Sequence, residues 1–140
     1  MNLRPEERTI LYATYLKIAA AESQLTDLLY RRLFELDPSL QSLFKVTMKE
    51  QGIKWRMMLN IAIAALDHPA LLEKSLREMG RRHVGYGVKE EDYPKFVDAV
   101  VWAIKQYLGP ECTPEVESAW RNLFAVLVDY AIHEQKKDKV

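Results

Sequence analysis

The sequence predicts an all-α protein. Three observations carry that expectation: apolar residues recur at helical spacing along most of the chain, no segment sustains the alternation of a strand, and no turn dipeptide joins two candidate strands into a hairpin. Its 140 residues, 49% apolar and 29% charged, suit one soluble core of ordinary size. A single domain over residues 1–140 is expected, with a frayed tail from about residue 135.

The first helix is expected from about Arg4 to Ser23. Pro5 is tolerated in its first turn, and Leu11, Tyr15 and Ile18 line one face. A second helix starts near Gln24 and stops before Asp37-Pro38, because a residue preceding proline is pushed out of the helical region. Asp37 then caps a short helical turn, Pro38 to Phe44. Thr47 to Glu50 shows no apolar period and reads as a loop. Trp55, Met58, Leu59, Ala62, Ile63 and Leu66 form the most regular amphipathic stripe, with Gln51 one turn earlier on the same face. His68-Pro69 breaks it. Leu72, Leu76, Met79 and His83 make the next stripe, which Gly85 and Gly87 stop. The stripe from Tyr93 through Phe96, Val100 and Ile104 to Leu108 ends at Gly109-Pro110, and Thr113-Pro114-Glu115 opens the last helix as cap, first-turn proline and first-turn acid.

Composition removes several function classes. Twenty basic residues balance twenty acidic ones, so no overall field favours nucleic acid or an acidic membrane. The start of the chain carries Arg4, Glu6, Glu7 and Arg8 with no long apolar run behind them, unlike a secretory signal. The longest apolar run, Ile61 to Leu66, is far short of the ~20 residues that span a bilayer. A cytoplasmic location is expected. Cys112 is the single cysteine, which excludes an internal disulfide and a four-thiolate metal site; in its proline-flanked loop it reads as a plain exposed thiol.

None of the common phosphate-cradling, zinc-hydrolase, dithiol or nucleophile-elbow motifs occurs, and attention passes to His83. A histidine that closes an apolar helix face before Gly85-Tyr86-Gly87 reads either as a structural residue or as a ligand to a bound cofactor. Leu72, Leu76 and Met79 beneath it, the Trp55 to Leu66 stripe opposite and Phe44 at the mouth would make an apolar slot for a flat cofactor. Haem suits such a slot: a nitrogen ligand on iron, a dry pocket, and cations such as Arg81 and Arg82 for the propionates.

Several stretches resemble the globin family: Leu33-Phe34-Glu35-Leu36-Asp37-Pro38-Ser39-Leu40, then Leu43-Phe44, then Met79-Gly80-Arg81-Arg82-His83-Val84-Gly85-Tyr86-Gly87-Val88, Tyr93-Pro94, Leu108-Gly109-Pro110, Thr113-Pro114-Glu115-Val116 and Ala119-Trp120. The likeness covers about residues 8–133 and is nearest to single-domain bacterial haemoglobins, flavohaemoglobin globin domains and neuroglobin-like members. It implies a three-over-three helical sandwich around haem b (iron protoporphyrin IX). In that likeness His83 is the proximal ligand to iron, Phe44 packs on the haem edge, and Met79, Arg82, Tyr86, Val88, Phe96 and Trp55 line the cofactor. Tyr30 and Gln51 match a bacterial distal pair that donates hydrogen bonds to a polarised diatomic ligand. Read without the likeness, Tyr30 packs with Phe34 and Gln51 is a solvated helix-start residue.

Two departures stand out. An ungapped register puts Trp55 where globins usually carry a smaller aliphatic over the iron, while a shorter link before Pro69 would put Leu59 there and Trp55 in place of Gln51; Trp55 lines the distal pocket in both. Tyr93 matches a proximal tyrosine, but Gln135 stands where flavohaemoglobins have a glutamate, with Glu134 one residue early. An anionic partner would strengthen the imidazole as a donor, so oxygen-activating chemistry is less expected here. His68 and His133 read as surface residues. The expected function is reversible binding of dioxygen, carbon monoxide or nitric oxide for storage, transport or scavenging. The alternatives are a nitric oxide dioxygenase served by a separate reductase, since the 140 residues hold no flavin or nicotinamide motif, and a haem-based gas or redox sensor.

Overall fold

Five helices account for most of the described chain: α1 (Pro5–Ala20), α2 (Glu22–Leu36), α3 (Met48–Asp67), α4 (Tyr93–Leu108) and α5 (Pro114–Lys137). The computed structural model describes residues 3–44, 47–68, 70, 73–75, 77, 78 and 89–137, the side chains at 48 and 134–137 excepted. Residues 70, 73–75, 77 and 78 are helical, and short 3-10 turns cover Pro38–Leu43, Glu90–Asp92 and Gly109–Glu111. No strand occurs among the described residues. The stripe residues Leu72, Leu76, Met79 and His83, together with Pro69, Arg81, Arg82, Gly85, Tyr86, Gly87 and Val88, lie outside the described residues.

The apolar stripes meet as periodicity requires. Helix α2 packs against both α3 and α4, α1 lies across α3 and α5, and α4 runs against α5. Leu25, Leu29 and Leu33 of α2, Leu59 and Leu66 of α3, Val100 and Ile104 of α4 and Trp120, Leu123 and Phe124 of α5 share one buried core. No helix among the described residues is long and apolar enough to cross a membrane.

Local chemistry sets most helix ends. Pro5 occupies the first turn of α1, Asp37 accepts from the Ser39 N–H at 3.1 Å, and Gly109 ends α4 at φ +57°, a left-handed conformation open to glycine. Three boundaries differ from the sequence reading. The first helix ends at Ala20 rather than Ser23, because Ala21 leaves helical geometry (φ −98°, ψ 25°) and α2 begins at Glu22. The expected loop Thr47 to Glu50 is instead the start of α3: Thr47 Oγ1 accepts from the Glu50 N–H at 3.2 Å. Thr47-x-x-Glu50 is a capping signature that could have revealed this. Helix α5 remains helical through Lys137, three residues into the stretch read as a tail.

Cys112 is also not a plain exposed thiol. It is half-buried at the end of the Gly109–Glu111 turn, packed on the core, and desolvation pushes its pKa up, which lowers thiolate reactivity. Glu7 is a buried carboxylate with no counterpart in the sequence reading, only 4% exposed. Its oxygens accept from Asn122 Nδ2 at 2.5 Å, Arg4 Nε at 3.0 Å and the Arg4 N–H at 3.2 Å. The Asn122 bond, with the Arg4 bonds beside it, outweighs burial and holds the Glu7 pKa below the usual carboxylate value. This contact pins the start of α1 to α5.

Gly52 governs the α2–α3 crossing. A Cβ there would meet Thr26 Oγ1 at 2.9 Å and Glu22 Cγ at 3.3 Å, while Thr26 Oγ1 is itself held by the Glu22 carbonyl at 2.5 Å. Gly52→Ala gains roughly 1 kcal/mol of helix propensity but forces the helices apart, an overpacking cost of about 1–3 kcal/mol. The expected net result is a melting midpoint lower by up to about 8 °C. Adding Thr26→Ala, which removes the clashing oxygen, is expected to restore much of the loss in the same thermal melt.

Candidate functional site

Tyr30 and Phe34 lie one turn apart on α2, so both rings leave the same face. Phe44 ends the Pro38–Leu43 turn, its N–H donating to the Gln41 carbonyl at 3.2 Å. That turn brings its ring edge-on to Tyr30, with centroids 4.9 Å apart, and to Phe34 at 5.7 Å. The Tyr30 and Phe34 rings are 6.0 Å apart and tilted. Three aromatic rings thus close one corner of the molecule.

Asp37 ties that corner to α4. Its carboxylate accepts from Lys95 Nζ at 2.7 Å as well as from Ser39, and these bonds, the Lys95 one first, hold its pKa at about 2. Lys95 stands between Tyr93 and Phe96 in the first turn of α4. Tyr93 is buried and its hydroxyl pKa is raised by that burial and then by Asp92, while Phe96 is half-buried against the core.

A polar pair faces the aromatic corner from α3. The Tyr30 hydroxyl donates to Gln51 Oε1 at 3.2 Å, although 21 residues separate the two. The early start of α3 makes this possible by placing Gln51 in its first turn. Tyr30 is only 5% exposed, and burial alone drives its pKa far above the usual tyrosine value, so the hydroxyl keeps its proton. Trp55 follows Gln51 by one turn on the same face of α3 and is 4% exposed. Its indole N–H is buried and has no hydrogen-bond partner among the described residues.

The structure therefore brings Tyr30, Gln51 and Phe44 together, with Trp55 one turn along α3 and with Tyr93 and Phe96 on the helix joined to this corner by Asp37. Met79, Arg82, His83, Tyr86 and Val88 lie outside the described residues. His68 and His133 are exposed, as read from sequence. The sequence reading did not foresee the Gly52–Thr26 approach or the Trp55 indole that has no partner among the described residues. A glycine inside a strongly helical stretch was the one available signal for the first.

An all-α fold that sets a buried tyrosine and a helix-borne glutamine beside an aromatic corner defines a class. The chain belongs to the globin family: the Globin family model matches residues 27–131, and the fold is the all-α globin fold. Among its relatives, a flavohemoprotein from Xylella fastidiosa is 31% identical over 122 residues, 85% of this chain and 30% of that protein. A neuroglobin from Tetraodon nigroviridis is 30% identical over 115 residues, 72% of each chain. The chain thus spans about 30% of the length of the flavohemoproteins it matches. Among solved structures, an "engineered carbene transferase" and "putative nitric oxide dioxygenase" from Rhodothermus marinus superimposes with a TM-score of 0.87 at 25% identity, covering 99% of this chain and 97% of the other. A bacterial globin from Campylobacter jejuni gives a TM-score of 0.83 at 23% identity, covering 96% and 97%, a likeness of fold.

Proposed function

We propose that this globin holds haem b and reversibly binds dioxygen, with carbon monoxide and nitric oxide as further ligands, in the cytoplasm. The observation that carries the reading is the half-buried Tyr30–Gln51 hydrogen bond beside the aromatic corner. The residues present fit the cofactor. The wall is apolar, Phe44 and Phe96 are half-buried beside it, and the buried Trp55 N–H lacks a partner among the described residues. His83 would hold the iron, Phe44, Phe96, Met79, Tyr86 and Val88 would enclose the ring, and Arg82 would meet a propionate. Haem, when bound, would supply iron as the binding atom for a diatomic gas.

The chain's own residues do the rest. Tyr30 keeps its proton and donates a hydrogen bond to the Gln51 carbonyl oxygen, which fixes the amide so that its N–H groups remain free to donate. Phe44 and Trp55 limit water at the site, so the amide acts in a low-dielectric surrounding where a donor is worth more. Tyr93 is the residue on the proximal side that this reading would place near His83.

A second reading is a nitric oxide dioxygenase, favoured by the name of the Rhodothermus marinus structure. Each turnover would consume an electron, supplied by a reductase outside these 140 residues. The test is the absorption spectrum of haem-loaded protein in its ferric, deoxy ferrous and air-equilibrated ferrous states. The binding reading expects a five-coordinate deoxy spectrum and a long-lived oxygenated one. Failure to retain haem would remove it, and fast re-reduction by a cell extract during nitric oxide consumption would put the dioxygenase first.

A further inference from the structure

The two most deeply buried tryptophans are treated differently by the fold. Trp120 is fully buried, and its indole N–H donates to Thr14 Oγ1 at 2.8 Å. Trp55 is 4% exposed, yet its N–H meets no acceptor among the described residues. A buried N–H left alone costs about as much as a lost hydrogen bond, so a fold that retains one normally has an acceptor that binds there.

The neighbourhood says which acceptor. Trp55 lies one turn beyond Gln51, so both side chains leave the same face of α3. Gln51 contacts Tyr30 through its carbonyl oxygen, and the Tyr30 proton is engaged in that bond. The donors left over on this wall are the Gln51 amide N–H groups and the Trp55 indole N–H. No described acceptor takes the latter, whereas a polarised diatomic gas would.

We propose that Trp55 is a hydrogen-bond donor to the bound gas, so that its indole sets ligand affinity by donation and not only by bulk. The proposal rests on the haem-globin reading above. It accounts for a large indole on a wall where a small aliphatic would leave more room: a tryptophan offers a donor that an aliphatic side chain lacks.

The test compares the carbon monoxide complex of the ferrous parent protein with two variants, Trp55→Phe and a protein carrying 3-benzothienylalanine at position 55, which keeps the indole shape but replaces N–H by sulfur. A donor near the carbon monoxide oxygen lowers the C–O stretching frequency, so both variants are expected to raise it. Both should also release dioxygen roughly 2- to 12-fold faster, the effect of losing one neutral hydrogen bond. An unchanged frequency in the benzothienyl protein overturns the proposal even if Trp55→Phe fails to fold. Faster carbon monoxide association in Trp55→Phe without a frequency shift also overturns it, since bulk alone would then be at work. Tyr30→Phe separates the two readings: if it moves the frequency and the position-55 variants do not, the distal pair stands and Trp55 is a wall. A protein that retains no haem overturns both.

Discussion

Alanine at His83 is expected to cost the protein nearly all of its bound haem. The chain has three histidines, and two of them, His68 at the end of α3 and His133 in α5, are exposed. A soft nitrogen ligand in a dry pocket therefore comes down to His83, which lies on the stripe Leu72, Leu76, Met79. Without it the ring would be held by apolar contact alone, and the iron would lose its nitrogen ligand from the chain. The check is the haem content and absorption spectrum of His83→Ala after reconstitution, with the circular dichroism spectrum as a fold control. His83→Gly supplied with free imidazole should recover a spectrum close to that of the parent. A parent-like spectrum in His83→Ala without imidazole would remove the proximal assignment.

Phenylalanine at Tyr30 is expected to speed dioxygen release by about 10- to 150-fold, corresponding to a charge-assisted hydrogen-bond system worth roughly 1.5–3 kcal/mol. One loss carries the effect. Without the hydroxyl that holds Gln51 Oε1, the amide that would donate to the ligand is no longer fixed in place. The ring contacts to Phe44 at 4.9 Å and Phe34 at 6.0 Å survive the change, so stability should hardly move. Because burial keeps the Tyr30 hydroxyl protonated, release from the parent protein should be flat across neutral and mildly alkaline pH. Stopped-flow release rates settle both points. A rate equal to that of the parent would show that the Tyr30–Gln51 pair does not act on the ligand.

Much of this architecture was legible in sequence because its signals are local. Helical stripes of apolar residues set the all-α class, proline and glycine set the ends at Asp37-Pro38 and Gly109-Pro110, and Thr113-Pro114-Glu115 opened α5 where the structure begins it. Each signal acts within one or two turns of chain, through steric limits on φ and ψ or through a cap. The missed start of α3 was local too, since the Thr47 cap stood in the sequence; what masked it was the lack of apolar period between Thr47 and Glu50.

Other features could be decided only by tertiary structure. The break at Ala21 carries no proline or glycine, and Glu7 becomes a buried, hydrogen-bonded anchor only because Asn122, 115 residues away, comes to meet it. The candidate site divides in the same way. Sequence alone marked His83, Phe44, Tyr30, Gln51 and Trp55 through spacing and family likeness. The hydrogen bond between Tyr30 and Gln51, the Asp37–Lys95 tie across 58 residues and the indole of Trp55, left without an acceptor among the described residues, depend on how α2, α3 and α4 cross, with Gly52 admitting the close approach. Local sterics and capping determine which segments are helical. Which polar groups meet, and which stay unmet, follows from burial shared among segments distant in the chain, where each partner's solvation depends on all the others.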